Sequence, residues 1–84
     1  MKIPTLHLNG TSRDSLLDPL GEVIGNITTA INSMSLIAPN ARDYYVQLPG
    51  AFEAARSEHC DRVRRLIEVR DEIEQIWLEI EGQP

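Results

Sequence analysis

Side chains suited to binding an anion lie together near the middle of the 84-residue chain, in the run Arg42-Asp43-Tyr44-Tyr45. Arginine offers a planar set of donors that fits phosphate or carboxylate, and tyrosine offers a stacking face with a hydroxyl group. Asn40 adds an amide, and prolines bracket the segment. The composition predicts either a ligand or partner site, or a rigid connector whose Asn40 and Asp43 cap turns.

Polar residues elsewhere could extend such a site. Arg56, His59 and Arg70 fall on the apolar stripe of the second predicted helix, where a charge is costly unless it is paired. The pattern predicts either packed stems with heads in water, or a polar cleft near the loop that accepts an anionic ligand. Arg56 and His59 would line this cleft, with Arg62 or Arg64, and Arg70 would pair with Glu74 instead. The candidate ligand-binding residues are Asn40, Arg42, Asp43, Tyr44, Tyr45, Arg56, His59, His7 and Asn9.

No residue set predicts catalysis, a metal site or a cofactor. His59 and Cys60 are neighbours on a predicted helix, so their side chains diverge by about 100° and cannot form a nucleophile–base pair. The two histidines are far apart in sequence, and no cysteine stands at ligand spacing. No glycine-rich phosphate loop follows a strand. We therefore expect a protein that is not an enzyme and that needs no cofactor.

The overall charge and composition narrow the partners further. The net charge of −5 argues against general nucleic-acid binding, because phosphate binding needs a basic surface. No apolar run approaches eighteen residues and no basic-then-apolar leader is present, so we expect neither a membrane span nor a signal peptide. A single cysteine, Cys60, suits a reducing cytoplasm.

Apolar residues recur at alternating steps of three and four, the spacing of packed helices. The stripe of the first helix consists of Leu17, Leu20, Ile24, Ile27, Ile31, Met34 and Ala38. The stripe of the second helix consists of Phe52, Arg56, His59, Val63, Leu66, Arg70, Ile73, Trp77 and Ile80. Thr11 or Ser12 is the predicted cap of the first helix. Pro19 predicts a kink or a restart inside it. Two four-apart pairs, Glu58–Arg62 and Asp61–Arg65, should support the exposed face of the second helix. The predicted single domain, 1–84, has an extended arm at 1–12, helix 1 at 13–38, a loop at 39–49 and helix 2 at 50–81.

Two helices joined by a loop of this length pack antiparallel, which predicts an all-α hairpin. A lone hairpin buries only one stripe of each helix, while apolar residues also flank both stripes. The flank of helix 1 consists of Leu16, Val23, Ala30 and Ile37. We therefore expect a homo-oligomer, with a dimer closing a four-helix bundle as the simplest case.

Three segments together resemble a family of small phage and prophage proteins. They are Ile-Pro-Thr-Leu-His-Leu-Asn-Gly-Thr-Ser near the start, Ala-Pro-Asn-Ala-Arg-Asp-Tyr-Tyr in the loop, and Gly-Ala-Phe-Glu-Ala-Ala-Arg-Ser-Glu-His after it. The resemblance covers nearly the whole chain and implies a viral origin and residence in the host cytoplasm. The residues that look like its signature are His7, Asn9, Gly10, Thr11, Asn40, Arg42, Asp43, Tyr44, Tyr45 and His59.

Small helical phage proteins commonly act against host defences, so the resemblance implies a binding role of this kind. One form is an oligomer that sequesters a nucleotide-derived signalling molecule, held by arginine and tyrosine side chains. An alternative is an inhibitor or adaptor that binds a host or phage protein, such as a host defence protein, through the acidic end of helix 2. A further alternative is a structural or packaging accessory of the virion.

Overall fold

The computed structural model describes residues 1–84 and confirms an all-α helical hairpin. Helix α1 spans Arg13–Ser33 and continues into a 3₁₀ turn at Met34–Ile37. A second 3₁₀ turn, Ala41–Asp43, lies in the connection, and helix α2 spans Ala51–Glu81. Residues 1–12, the arm, contain no helix or strand. We call residues 36–52 the tip, and the opposite end, where the arm meets both helices, the base.

Helix α1 begins at a serine cap and passes through its proline without a break. The Ser12 hydroxyl accepts a hydrogen bond from the Ser15 amide at 3.2 Å, and Asp14 occupies the first turn. Pro19 stands inside the helix and cannot donate to the Ser15 carbonyl. Both residues are exposed, so water can bond to that carbonyl. The restart at Pro19 was one of two sequence-based alternatives, and the structure has a continuous helix instead.

Helix α1 ends five residues earlier than the predicted limit at residue 38, because hydroxyl side chains compete for carbonyls in its second half. The hydroxyls of Thr28, Thr29 and Ser33 each donate to the backbone oxygen four residues earlier, at 2.9–3.1 Å. Such bonds weaken and bend a helix. Pro39 then removes a further donor, and the chain leaves through the 3₁₀ turn at Met34–Ile37. Helix α2 begins at Ala51, one residue later than predicted.

The two helices run antiparallel with a fixed register. Arg13 at the start of α1 donates to the backbone of Gln83, just past the end of α2. Gly21 faces Trp77, because a Cβ atom added at Gly21 would lie 3.9 Å from the indole nitrogen of Trp77. Met34 lies beside Leu66. The part of α2 before Leu66 therefore extends beyond the end of α1.

The hairpin is long and thinly packed. It measures 64 × 21 × 16 Å with a radius of gyration of 18.9 Å, whereas a compact chain of this length would have about 12 Å. Only two of its 84 residues are buried, Leu17 at 6% exposure and Ile80 at 0%. Both belong to the predicted apolar stripes. One hairpin therefore closes very little core.

Candidate functional site

The tip is built from two consecutive turns. The Asn40 side chain accepts a hydrogen bond from the Arg42 amide at 3.1 Å and so caps the 3₁₀ turn that follows. A second turn closes where the Gln47 amide donates to the Tyr44 carbonyl at 2.9 Å. Gly50, the only residue with a positive φ, at 91°, then redirects the chain into α2. The predicted turn-capping role of Asn40 is confirmed, whereas the one predicted for Asp43 is wrong, because its side chain forms no hydrogen bond.

The two tyrosines have different surroundings. Tyr44 is half-buried, and its ring centroid lies 6.3 Å from that of Phe52 on α2, with the planes tilted by 47°. This pair anchors the loop to the helix at a separation typical of aromatic contacts. Tyr45 is 80% exposed. Tyr44 therefore covers the end of the hairpin, and Tyr45 presents its ring to the solvent.

An open cleft of about 280 Å³ lies beside this pair. Six of its ten lining residues are hydrophobic, and Glu53 is its only charged lining residue. Asn40, Arg42 and Asp43 are outside the cleft, on the adjacent exposed turn. The cleft thus offers apolar and aromatic surface, and the neighbouring turn offers the polar groups. Its aromatic residues are Tyr44, Tyr45 and Phe52.

The arginines separate into a paired group and an unpaired group. Four arginines along the middle of α2 form ion pairs on their own helix: Arg62, Arg64, Arg65 and Arg70. The predicted pairs Glu58–Arg62 and Asp61–Arg65 are confirmed, at 3.7 and 3.1 Å. Arg70 pairs with Asp71 at 3.3 Å, so the predicted pairing with Glu74 is wrong.

Arg42 and Arg56 form no ion pair, and both belong to the tip half of the molecule. Arg56 stands in the second turn of α2 and is exposed, so its head lies in water and is not on the packed stripe. His59, one turn later, is half-buried. The guanidinium groups of Arg42 and Arg56 are therefore available to an external anion, whereas the paired arginines already have carboxylate partners.

Asp61 and Arg64, which pair with each other, both have shifted pKa values. The hydrogen bond from the Arg64 guanidinium holds the pKa of the Asp61 carboxyl below its ordinary value, with the charges of Arg64 and Arg65 acting in the same direction. The same bond, with Glu68 on the other side, raises the pKa of Arg64. Both side chains are therefore charged at neutral pH, and they form an ion pair on the surface of α2.

His7 and Asn9 lie at the base, far from the other candidate residues. The Leu6 amide donates to the Gln83 side chain at 2.9 Å, which fixes this part of the arm beside the end of α2. The 31 residues of α2 separate base and tip by about 46 Å at ~1.5 Å per residue. A small ligand at the tip of one chain therefore cannot touch His7 or Asn9 of that chain.

At the base, His7 lines an open cleft of about 370 Å³ together with Arg13, which sequence reasoning did not single out. The His7 ring lies against Gly10, where an added Cβ would come within 2.6 Å of its Nε2 atom. The Gly10 amide donates to the His7 carbonyl at 3.1 Å and closes the turn. His7 and Asn9 therefore belong to the turn that leads the arm into α1.

Gln83 is a second residue that sequence reasoning missed, and it fastens the arm to the hairpin. Its side chain accepts from the Leu6 amide and donates to the Pro4 carbonyl at 2.7 Å. No local pattern marks it, because its partners are 77 and 79 positions away in sequence. A side-chain amide has an acceptor oxygen and a donor nitrogen, so Gln83 can bond to both partners at once.

Replacing Gln83 by glutamate should loosen the arm. The carboxylate keeps the acceptor for Leu6 but cannot donate to Pro4, and it places a negative charge against that carbonyl. We expect faster hydrogen exchange at the Leu6 amide, a loss of about 1 kcal/mol, and unchanged helix content. Gln47→Glu, the same change at an exposed tip residue, is the control. Equal exchange at Leu6 in both variants would contradict the fastening role.

Three further findings concern metal binding, membrane spans and similarity to known proteins. No three or more histidine, cysteine, aspartate or glutamate side chains come together in a group able to hold a metal ion. Neither helix combines the length and apolarity that a membrane span requires. Comparisons with protein families, with curated proteins and with solved structures found no match. The interpretation of the tip therefore depends on its own residues.

Proposed function

We propose that this chain is a non-enzymatic binding protein that takes its ligand at the tip. The observation that carries the proposal is the coincidence, at one end of the rod, of the exposed Tyr45 ring, the cleft with aromatic lining beside Tyr44, and the unpaired Arg42 and Arg56. Aromatic faces bind a base by stacking, and a free guanidinium binds a phosphate through two parallel hydrogen bonds.

A nucleotide-derived molecule combines these two features. The resemblance to small phage proteins supplies a context for such binding, namely sequestration of a host signalling nucleotide in the host cytoplasm. Arg42 and Tyr45 are the residues that would contact it first, because both are exposed on the same loop. Asn40 is occupied with capping the turn, so its role is to hold Arg42 in position.

Thermal denaturation with a panel of cyclic and ADP-ribose-derived nucleotides tests this proposal. A ligand at 100 times its Kd adds about 2.7 kcal/mol, which corresponds to a rise in Tm of about 10 °C or more for a domain of this size. Arg42→Ala should abolish the rise. Arg62→Ala is the matched control, because Arg62 is already paired with Glu58 on α2. No rise with any nucleotide would overturn the nucleotide assignment.

A second candidate function is an adaptor that binds a basic protein through the acidic end of α2. It is favoured by a specific observation: four carboxylates there form no ion pair, those of Glu72, Glu74, Glu79 and Glu81. Binding of this kind should weaken with salt and with the double change Glu72→Gln and Glu74→Gln. Glu58→Gln, at a carboxylate that is already paired, should leave it unchanged.

A further inference from the structure

Much of the apolar surface of α1 has no partner within the chain. Val23 is 42% exposed and Ile37 is 67% exposed, and Ala30 between them is exposed as well. Leu16, which is half-buried, Val23 and Ala30 stand seven apart and so follow one side of α1, and Ile37 lies in the 3₁₀ turn that continues the helix. We call Leu16, Val23, Ala30 and Ile37 the heptad strip.

We propose that a second copy of this chain covers the heptad strip, with the two α1 helices antiparallel about a twofold axis at Ala30. This inference concerns assembly and does not depend on the ligand proposed at the tip. In a twofold contact the pairing is reciprocal, and only the residue on the axis meets its own counterpart. Ala30 then faces Ala30, and Val23 of each copy faces Ile37 of the other.

The exposed area agrees with a dimer. The chain exposes 6346 Å², whereas a compact monomer of 9.5 kDa exposes about 5,000 Å². The excess of about 1,300 Å² exceeds the roughly 800 Å² per partner of a standard interface and lies in the range of obligate homodimers. The chain therefore has enough exposed surface for an interface of standard size.

The charge distribution selects α1 as the contact. Residues 23–41 contain no charged side chain, whereas 14 of the 31 residues of α2 are charged. Each copy carries a net charge of −5, so a contact between α2 helices would bring many like charges together. A contact between α1 helices brings none together and leaves the ion pairs of α2 in water.

The size of the central residue suits the proposed axis. A small side chain at the crossing point lets two helices approach closely, and Ala30 provides it between the larger Val23 and Ile37. Ala30 lies opposite Ala30 in either direction, so the charges of α1 decide between the two directions. The antiparallel contact keeps the acidic residues of the two copies at opposite ends, whereas a parallel contact would bring them together; they are Asp14, Asp18 and Glu22.

Sedimentation equilibrium and disulfide cross-linking test the interface. The wild-type protein should have twice the 9.5 kDa mass of one chain. Val23→Glu should reduce the mass to that of one chain, because it places two carboxylates in the contact. Thr29→Glu, at an exposed position about 100° further round α1, should keep the dimer. A wild-type mass of one chain at every concentration overturns the proposal.

Cross-linking keeps the test decisive if Val23→Glu fails to fold. In a Cys60→Ser background, Ala30→Cys should give a covalent dimer on oxidation, because facing cysteines need Cα atoms about 4.4–6.8 Å apart. Thr29→Cys should not. A Val23→Cys chain should join an Ile37→Cys chain but not itself. Cross-linking of Thr29→Cys as readily as Ala30→Cys would overturn the register. A dimer without any nucleotide response would leave this inference standing and remove only the nucleotide assignment.

Discussion

Ile80→Ala should lower the free energy of unfolding by about 2–5 kcal/mol, the largest effect expected from a single substitution in this chain. Ile80 is fully buried, and truncation of such an isoleucine costs about 2–5 kcal/mol. A domain of this length has only about 4–13 kcal/mol of stability, and this one has two buried residues. The measurement is urea denaturation followed by circular dichroism at 222 nm.

Leu78→Ala is the matched control, because it removes a comparable side chain two positions away that is 52% exposed. Its cost should be about 1 kcal/mol or less, because much of the side chain is already in water. Equal losses at the two positions would show that the single fully buried contact is not the centre of stability.

The second large effect is expected at the entry to α2. Gly50→Ala should destabilise the protein by about 1–2 kcal/mol, because its φ of 91° lies in a region that a Cβ atom disfavours. No atom lies within 4 Å of the Cβ position, so the cost is in the backbone alone. Tyr44 and Phe52 depend on this turn for their contact, and loss of the contact should accompany the change.

Gly25→Ala should change stability in the opposite direction. Gly25 lies inside α1, also with open space at its Cβ position, and alanine is favoured over glycine in a helix by about 1 kcal/mol. Melting temperatures of the two variants against wild type check both signs. A higher melting temperature for Gly50→Ala would contradict the need for a left-handed backbone conformation at position 50.

The hairpin could be predicted because its determinants are local and periodic. Leu17 and Ile80 were members of the three-and-four pattern, and they are the two residues that the fold buries most deeply. Ser12 was one of two predicted caps and accepts the hydrogen bond from Ser15. Helix periodicity and capping act over a few residues, so the sequence displays them directly.

The candidate site was less predictable, because its arrangement depends on distant contacts and on competing local ones. His7 was grouped with Arg42 because of its residue type alone. The two hydrogen bonds of the Gln83 side chain hold this region of the arm at the base. The two adjacent tyrosines have similar propensities, and only the position of Phe52 distinguishes the half-buried one from the exposed one. The early end of α1 arises from hydroxyls that a periodicity argument does not weigh.

The elongated shape has a consequence for hydrodynamic measurement. A rod of 64 × 21 × 16 Å tumbles and diffuses more slowly than a sphere of the same mass. A single chain would therefore elute from a sizing column at the volume of a larger globular protein. The friction of the rod and the mass of an assembly both lower the diffusion coefficient, and only sedimentation equilibrium or light scattering, which measure mass independently of shape, separates one hairpin from two.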